Sequence, residues 1–407
     1  MKQFEIPSFY KSPIISKVKA LRKESDPRKK DFTPTLLDFG TVRFYIARHF
    51  GFCYGVENAI EISYKAISEN PGKRIFLISE MIHNPAVNSD LLDNGIRFLQ
   101  DTDGTQLIPW SELTPEDVVL IPAFGTTVDI ENTLLKIGVN IERYNTTCPF
   151  VEKVWNRSEK LGKDKHTIVI HGKYNHEETR ATFSHSAQNS PALIVKNMEE
   201  AIFLGNAILG KCSEAEFHAF FNGKCTPNFS FENDLEKIGV VNQTTMLATE
   251  TQEITDYLRD VMVQKYGEAQ LKEHIADTRD TLCYATNDNQ SATYGLMEIE
   301  ADLAIVVGGH NSSNTTHLVE LLEQKFTTYF IESEHELLNA TDIQSYDIHS
   351  KSVNIHSDYL STGSNSPTII LTSGASCPDA VVDRVIQRIL EFTGATHTIE
   401  EVLENLH

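Results

Sequence analysis

Three cysteines in this chain stand where a thiolate would be favoured. In Asn145-Thr146-Thr147-Cys148-Pro149-Phe150-Val151 a short apolar run ends in hydroxyl residues, a cysteine and a proline. Proline suits the first turn of a helix, where its missing N–H costs nothing. Cys148 therefore sits at a helix start, and the positive end of the helix dipole favours its ionised form. Cys53, in Gly51-Phe52-Cys53-Tyr54-Gly55, and Cys283, in Thr281-Leu282-Cys283-Tyr284-Ala285-Thr286, occupy turns of similar build. One such cysteine opens each third of the chain. By spacing alone they read as three separate buried thiols. Brought together, three thiolates suit a catalytic zinc with one open position, or an iron-sulfur cluster with one iron not held by cysteine. Neither a compact ferredoxin spacing nor Cys-x-x-Cys is present, so spacing does not choose the metal.

A second set of residues suits an anion. His83, His176, Glu178, Thr244, Ser312, Ser313, Asn314 and Ser376 all fall in polar turns that follow apolar, branched runs. Singly each is ordinary turn chemistry. Together they are hydroxyls, an amide, imidazoles and helix starts, the equipment for a phosphate or diphosphate. Glu178, two residues after His176, is the carboxylate of interest: beside a bound diphosphate and an anionic cluster its protonated form is favoured, and it can serve as a general acid. His49, His166, His185 and His356 read as structural or solvated. There is no Walker-type loop and no dinucleotide glycine fingerprint, which disfavours ATP and NAD.

The elements that must hold these turns repeat one design, a buried strand, a polar turn and a helix. Strands are expected over 42–48, 74–78, 117–121, 166–170, 238–241, 303–307 and 368–371. Helices are expected over 56–69, from 85 to about 94, to 136, over 152–160 and 249–264, after 283, and to about 391. Ligands of open α/β sheets bind off the carboxyl ends of the strands, where every candidate above lies. The chain divides on this reading into an N-terminal arm (1–41), α/β units at 42–148, 149–280 and 281–392, and an acidic, peripheral tail (393–407). An irregular insertion is expected at about 206–236, with Cys212 and Cys225, and a second, polar one at about 340–366.

At 407 residues the chain is too long for one ordinary core. Its net charge of −21 argues against non-specific nucleic-acid binding, and no apolar run is long enough to span a membrane. Six scattered cysteines without a signal peptide fit reduced thiols in the cytoplasm. The arm is basic around 17–30, but its acids make a transit peptide a poor fit; a plastid location stays open.

Eight motifs, in order, then carry a resemblance. Gly51-Phe52-Cys53-Tyr54-Gly55-Val56, Ile82-His83-Asn84, Thr147-Cys148-Pro149, His176-Glu177-Glu178, Gln243-Thr244-Thr245, Cys283-Tyr284-Ala285-Thr286, Asn311-Ser312-Ser313-Asn314 and Gly374-Ala375-Ser376 are similar to those of the 4-hydroxy-3-methylbut-2-enyl diphosphate reductases (IspH, also called LytB). The resemblance runs from about 43 to 392. It implies an α/β fold of three similar units with small, mainly parallel sheets, arranged in a pseudo-threefold, trefoil-like way around a central iron-sulfur site.

The implied reaction is reductive dehydroxylation of the allylic diphosphate to isopentenyl and dimethylallyl diphosphate, the last step of the non-mevalonate route. Cys53, Cys148 and Cys283 are implied ligands of one 4Fe-4S cluster per chain. Glu178 is the implied proton donor, with Thr244 near the substrate hydroxyl, and His83, His176, Ser312, Ser313, Asn314 and Ser376 are implied diphosphate ligands. A ferredoxin or flavodoxin is the implied electron donor; both are acidic, so docking calls for a local basic patch, for which Lys153, Arg157, Lys160, Lys163 and Lys165 are candidates. Many bacterial members carry a histidine in a Ser-Ala-His-Gly turn, whereas this chain has Ala123-Phe124-Gly125, so one phosphate ligand is missing there. The arm and insertions resemble the longer form found in plants and some bacteria. Two rivals use the same thiols: a redox sensor or metal-binding regulator without turnover, which leaves the hydroxyl and histidine turns unexplained, and a zinc hydrolase, which metal analysis separates.

Overall fold

The apolar runs form short strands gathered into three small α/β sheets and one hairpin. The computed structural model describes residues 5–28, 30–276, 281, 283–361 and 366–406. The chain forms two compact units. The first comprises Met1–Glu57, His83–Val87 and Tyr284–His407, and the second Asn58–Ile82 and Asn88–Cys283.

The first unit holds β1 (Thr35–Asp38), β2 (Arg43–Ile46), β9 (Leu303–Val307), β10 (Thr328–Ile331) and β13 (Thr368–Ser373), in the order β1-β2-β13-β9-β10. β13 lies centrally, parallel to β2 and β9, with Ile370 opposite both Tyr45 and Ala304. β1 runs antiparallel along β2. Every residue of β9 and β13 is buried, which is why they read as unbroken apolar runs rather than alternating ones.

The second unit holds two three-stranded parallel sheets. One is β4-β3-β5, from β3 (Ile75–Leu77), β4 (Ile96–Phe98) and β5 (Val118–Leu120). The other is β7-β6-β8, from β6 (Thr167–His171), β7 (Ala192–Val195) and β8 (Ile238–Asn242). The helices that follow β6, β8, β9 and β13 start within a few residues of the strand, at Glu177, Ala248, Ser313 and Asp379. The candidate residues thus stand at carboxyl ends of strands.

Two expectations need correction, those for 206–236 and the tail, and two further stretches take a form the sequence left open. The arm is folded: Pro13–Ser25 is a helix capped by Ser12, whose Oγ accepts from the Ile15 N–H at 2.9 Å, and Ile14, Ile15 and Val18 are buried in the core of the first unit. The stretch 206–236 contains the helix Glu214–Phe220, started by a reciprocal Ser213–Glu216 capping box and closed over buried Phe217 and Phe221. The stretch 340–366 contains a hairpin of β11 (Ile343–Asp347) and β12 (Ser352–His356). The tail is not peripheral, because the helix Ile399–Glu404 buries Val402 and Leu403 in the first unit's core, at about 1.5–3 kcal/mol per side chain. Among the described residues no helix is long and apolar enough to cross a membrane.

Candidate active site

In the second unit the chain beyond β5 is held by neighbouring backbone. Ala123 N donates to Met81 O (3.2 Å), Thr146 N to Ile121 O (3.2 Å) and Cys148 N to Ala123 O (2.9 Å). Cys148 is the extended N-cap residue of the helix Pro149–Lys163, with proline at its first position, and its sulfur makes no capping hydrogen bond. The thiol thus stands at the positive end of a fifteen-residue helix. Cys283, buried, precedes the helix Tyr284–Met297; Thr281 Oγ1, two residues earlier, donates to Asn242 Oδ1 at 2.7 Å.

Glu178 lies in the same unit and is 1% exposed. Both of its carboxyl oxygens are held by one residue. The Thr244 N–H donates to Oε1, and Thr244 Oγ1 donates to Oε2 at 2.8 Å. His176 caps the helix Glu177–Ser186 through Nδ1, which accepts from the Glu178 N–H at 3.2 Å. The aromatic ring of Phe124 meets the His176 ring edge-on, 5.6 Å between centroids, so the position without a histidine is filled by a packing contact.

Gln243 belongs to the Gln243-Thr244-Thr245 motif, but sequence reasoning gave it no role. Its Oε1 accepts from Thr179 Oγ1 (3.0 Å) and Lys173 N (3.1 Å), and its Nε2 donates to Thr245 Oγ1 (2.6 Å). It ties the turns after β6 and β8 together and so sets Thr244 against Glu178. The available signal was an amide wedged between a buried strand and Thr244-Thr245.

The anion-type residues of the first unit meet around the start of the helix Ser313–Leu322. Ser312 caps it, accepting from Thr315 N (3.3 Å) and Thr315 Oγ1 (2.9 Å). Asn314 Oδ1 accepts from Ala375 N (2.9 Å), and Ser376 Oγ donates to His83 O (3.1 Å). A Cβ on Gly309 would stand 2.6 Å from that same His83 oxygen, so only glycine lets the two turns approach this closely. Ser313 Oγ and Asn314 Nδ2 are buried and have no hydrogen-bond partner among the described residues. A buried donor left unmade costs about 1–3 kcal/mol. Two of them at a helix N-terminus, with no positive side chain required, form a cradle that an anion would complete.

The structure brings Glu178 together with Thr244 and His176, and His83 with Ser312, Ser313, Asn314 and Ser376, so of the expected diphosphate ligands His176 falls in the second unit and the others in the first. Cys53 belongs to the first unit, while Cys148 and Cys283 belong to the second. Among the described residues no set of three or more His, Cys, Asp and Glu is gathered to hold a metal ion. The chemistry of the donors still fits an iron-sulfur group: each of the three cysteines stands immediately ahead of a helix. Burial pushes the thiols of Cys212, Cys225 and Cys377 upward. His166 and His185 are held below the usual imidazole range by burial, and His185 stacks on Trp155, in keeping with structural roles. Lys153, Lys160, Lys163 and Lys165 are exposed and Arg157 is half-buried; Lys163 pairs with Glu159 at 2.7 Å.

A family model described as LytB protein matches residues 44–390. Relatives named 4-hydroxy-3-methylbut-2-enyl diphosphate reductase include one from Trichodesmium erythraeum, 39% identical over 94% of this chain and 90% of the relative. Another, from Thermosynechococcus vestitus, is 40% identical over 86% and 85%. A solved structure of (E)-4-hydroxy-3-methyl-but-2-enyl diphosphate reductase shares 24% identity, with a TM-score of 0.51 over 85% of this chain and 98% of that one. The E-1-hydroxy-2-methyl-but-2-enyl-4-diphosphate reductase of Plasmodium falciparum shares 22%, with a TM-score of 0.59 over 85% and 87%. The structural likenesses show a common α/β fold of small parallel and mixed sheets. With the matched segment containing both assembled groups and all three helix-start cysteines, the chain belongs to the LytB family and is an enzyme.

Proposed function

We propose that the chain reduces 4-hydroxy-3-methylbut-2-enyl diphosphate to isopentenyl and dimethylallyl diphosphate, as the last step of the non-mevalonate route. The observation that carries this reading is Glu178, buried and gripped through both oxygens by Thr244. Ser313 Oγ and Asn314 Nδ2 bind the diphosphate with the N–H groups of their helix start, joined by His83, His176, Ser312 and Ser376. Thr244 orients the carboxyl group, and Glu178 supplies a proton as the substrate hydroxyl leaves as water. Two electrons and two protons are consumed for each water released. Cys53, Cys148 and Cys283 would hold one 4Fe-4S cluster, which when bound supplies the electrons and polarises the hydroxyl.

The three separate sheets support a pseudo-threefold, trefoil-like arrangement of the stretches 42–148, 149–280 and 281–392, with β2 lent to the sheet of the last. A ferredoxin or flavodoxin is the electron donor, docking on the exposed lysines of 153–165, and the reaction runs in the cytoplasm or a plastid. Reversing Lys153 and Lys160 to Glu should raise the donor concentration needed for half-maximal turnover at least tenfold. Unchanged donor dependence would move the docking site elsewhere.

The deciding experiment is anaerobic purification followed by iron and sulfide analysis and turnover with an artificial reductant. About four irons and four sulfides per chain are expected, with water-releasing reduction of the diphosphate. A colourless protein that stays inactive after cluster reconstitution would sink the proposal.

A further inference from the structure

The folded arm bears on one of the three cysteines. Its helix, Pro13–Ser25, places Lys19 against the loop Phe50-Gly51-Phe52-Cys53. Lys19 Nζ donates to the Phe50 carbonyl at 3.0 Å and pairs with Asp379 Oδ1 at 2.7 Å. It also lies 4.6 Å from the centroid of the Phe50 ring. Gly51 takes a φ of +74°, and a Cβ there would stand 2.3 Å from Asp379 Oδ1 and 3.0 Å from Lys19 Nζ, so the loop passes through the gap that this ion pair leaves. Three further contacts bind the arm to residues 48–52. The Arg48 guanidinium donates to the carbonyls of Arg22 and Asp26, each at 3.3 Å, and the Tyr10 ring lies 5.7 Å from that of Phe52. On the loop's far side, Cys53 N donates to Ala375 O at 3.2 Å.

We propose that Lys19 is a positioning residue that latches the Cys53 loop between the arm helix and the start of the helix Asp379–Thr393. The arm is thereby part of the machinery that presents Cys53. The latch satisfies the Phe50 carbonyl and neutralises Asp379 with one ammonium, so its removal frees the loop at the residue before its left-handed turn. A cavity of about 300 Å³, lined by Lys19, Lys23, Arg48, Cys53, Asp288 and Asp379 among others, opens beside the sulfur. Slack in the loop widens this opening toward Cys53. The role assigned to Cys53 rests on the cluster reading above; the latch itself rests on contacts within the first unit.

Hydrogen exchange of the full chain, read by mass spectrometry, tests the latch without reference to the cluster. In Lys19→Met the peptide spanning 48–57 should exchange about tenfold faster, with peptides from β6 and β9 unchanged. Lys19→Arg should restore most of the protection, and Lys23→Met, which removes a charge from the same helix and the same cavity, should match the parent. Protection of 48–57 within twofold of the parent in Lys19→Met, or faster exchange throughout the chain, would overturn the latch. Iron release to a chelator then tests its bearing on Cys53. Several-fold faster release from the loaded Lys19→Met protein is expected, and equal release despite a loosened loop would overturn that part. If the parent holds no iron, the cluster reading falls, and the exchange data still decide the latch.

Discussion

Replacing Glu178 by Gln keeps the shape of the side chain and removes the proton it can give. The surroundings set what else is lost. Thr244 donates its N–H to one carboxyl oxygen and its hydroxyl to the other, and both residues are buried. Glutamine keeps an oxygen for the N–H, while the hydroxyl turns to accept from the new NH₂. The net cost is therefore that of re-pairing one hydrogen bond, about 1 kcal/mol. Glu178→Ala strands both Thr244 donors, at about 1–3 kcal/mol each, and adds a small cavity, so it should destabilise by about 3–5 kcal/mol. Turnover follows a different order. Loss of a general acid costs about 10²–10⁴-fold, or about 3–5 kcal/mol of barrier, and both variants should lose it. The assay pairs urea denaturation with turnover under an artificial reductant on protein of matched iron content. Turnover within tenfold of the parent in Glu178→Gln would refute the proton-donor role and favour a sensor that does not turn over. Equal stability of the Gln and Ala variants would refute the grip of Thr244.

Ser313→Ala and Asn314→Ala should each raise KM for the diphosphate about tenfold or more. Stability should rise by up to about 1–3 kcal/mol in Ser313→Ala, because the buried hydroxyl it removes has no partner among the described residues; an unchanged KM in both refutes the cradle. Burial pushes Glu336 up to about 6, with Glu332 adding to the effect and the Glu332 N–H opposing it. Its folded value lies above the ordinary 4.5, so the contribution is full below about pH 4.5 and is lost as pH rises through 6. Glu336→Gln should therefore gain up to about 2 kcal/mol at pH 7.5 and flatten the stability profile between pH 4.5 and 6. Urea titrations at several pH values check this. Burial also pushes the Cys377 thiol up to about 12, so alkylation of the native protein at pH 8 should leave Cys377 unmodified until urea exposes it.

The repeated strand, turn and helix was legible because β6, β8, β9 and β13 are buried on both faces and therefore spell continuous apolar runs. The candidate residues followed from that, since each sits in the turn such a run enters. What the sequence hid lies in partnership. The four-residue β1 reads as an arm until β2 pairs with it, and Val402 and Leu403 read as part of an acidic tail until the core they fill is known. Gln243 is unremarkable as a residue type; its weight comes from Thr179 and Lys173, sixty-four and seventy residues away in sequence. Phe124 was visible as an absent histidine, but its edge-on contact with His176 was not.

The central place of β13 also orders the making of the protein. β2 and β9 do not pair with each other, and β13, which lies between them, is the last of the described strands to be synthesised. Until residues 368–373 leave the ribosome, both present open, wholly apolar or half-apolar edges to anything nearby. The second unit has no such debt to the far end of the chain, since each of its sheets is complete by residue 242. Nascent chains paused before β13 should thus hold protease-resistant fragments from the second unit and none from the first. The loop of Cys53, made early, acquires its fixed form only at the end of synthesis, when Ala375 and Asp379 arrive to hold it.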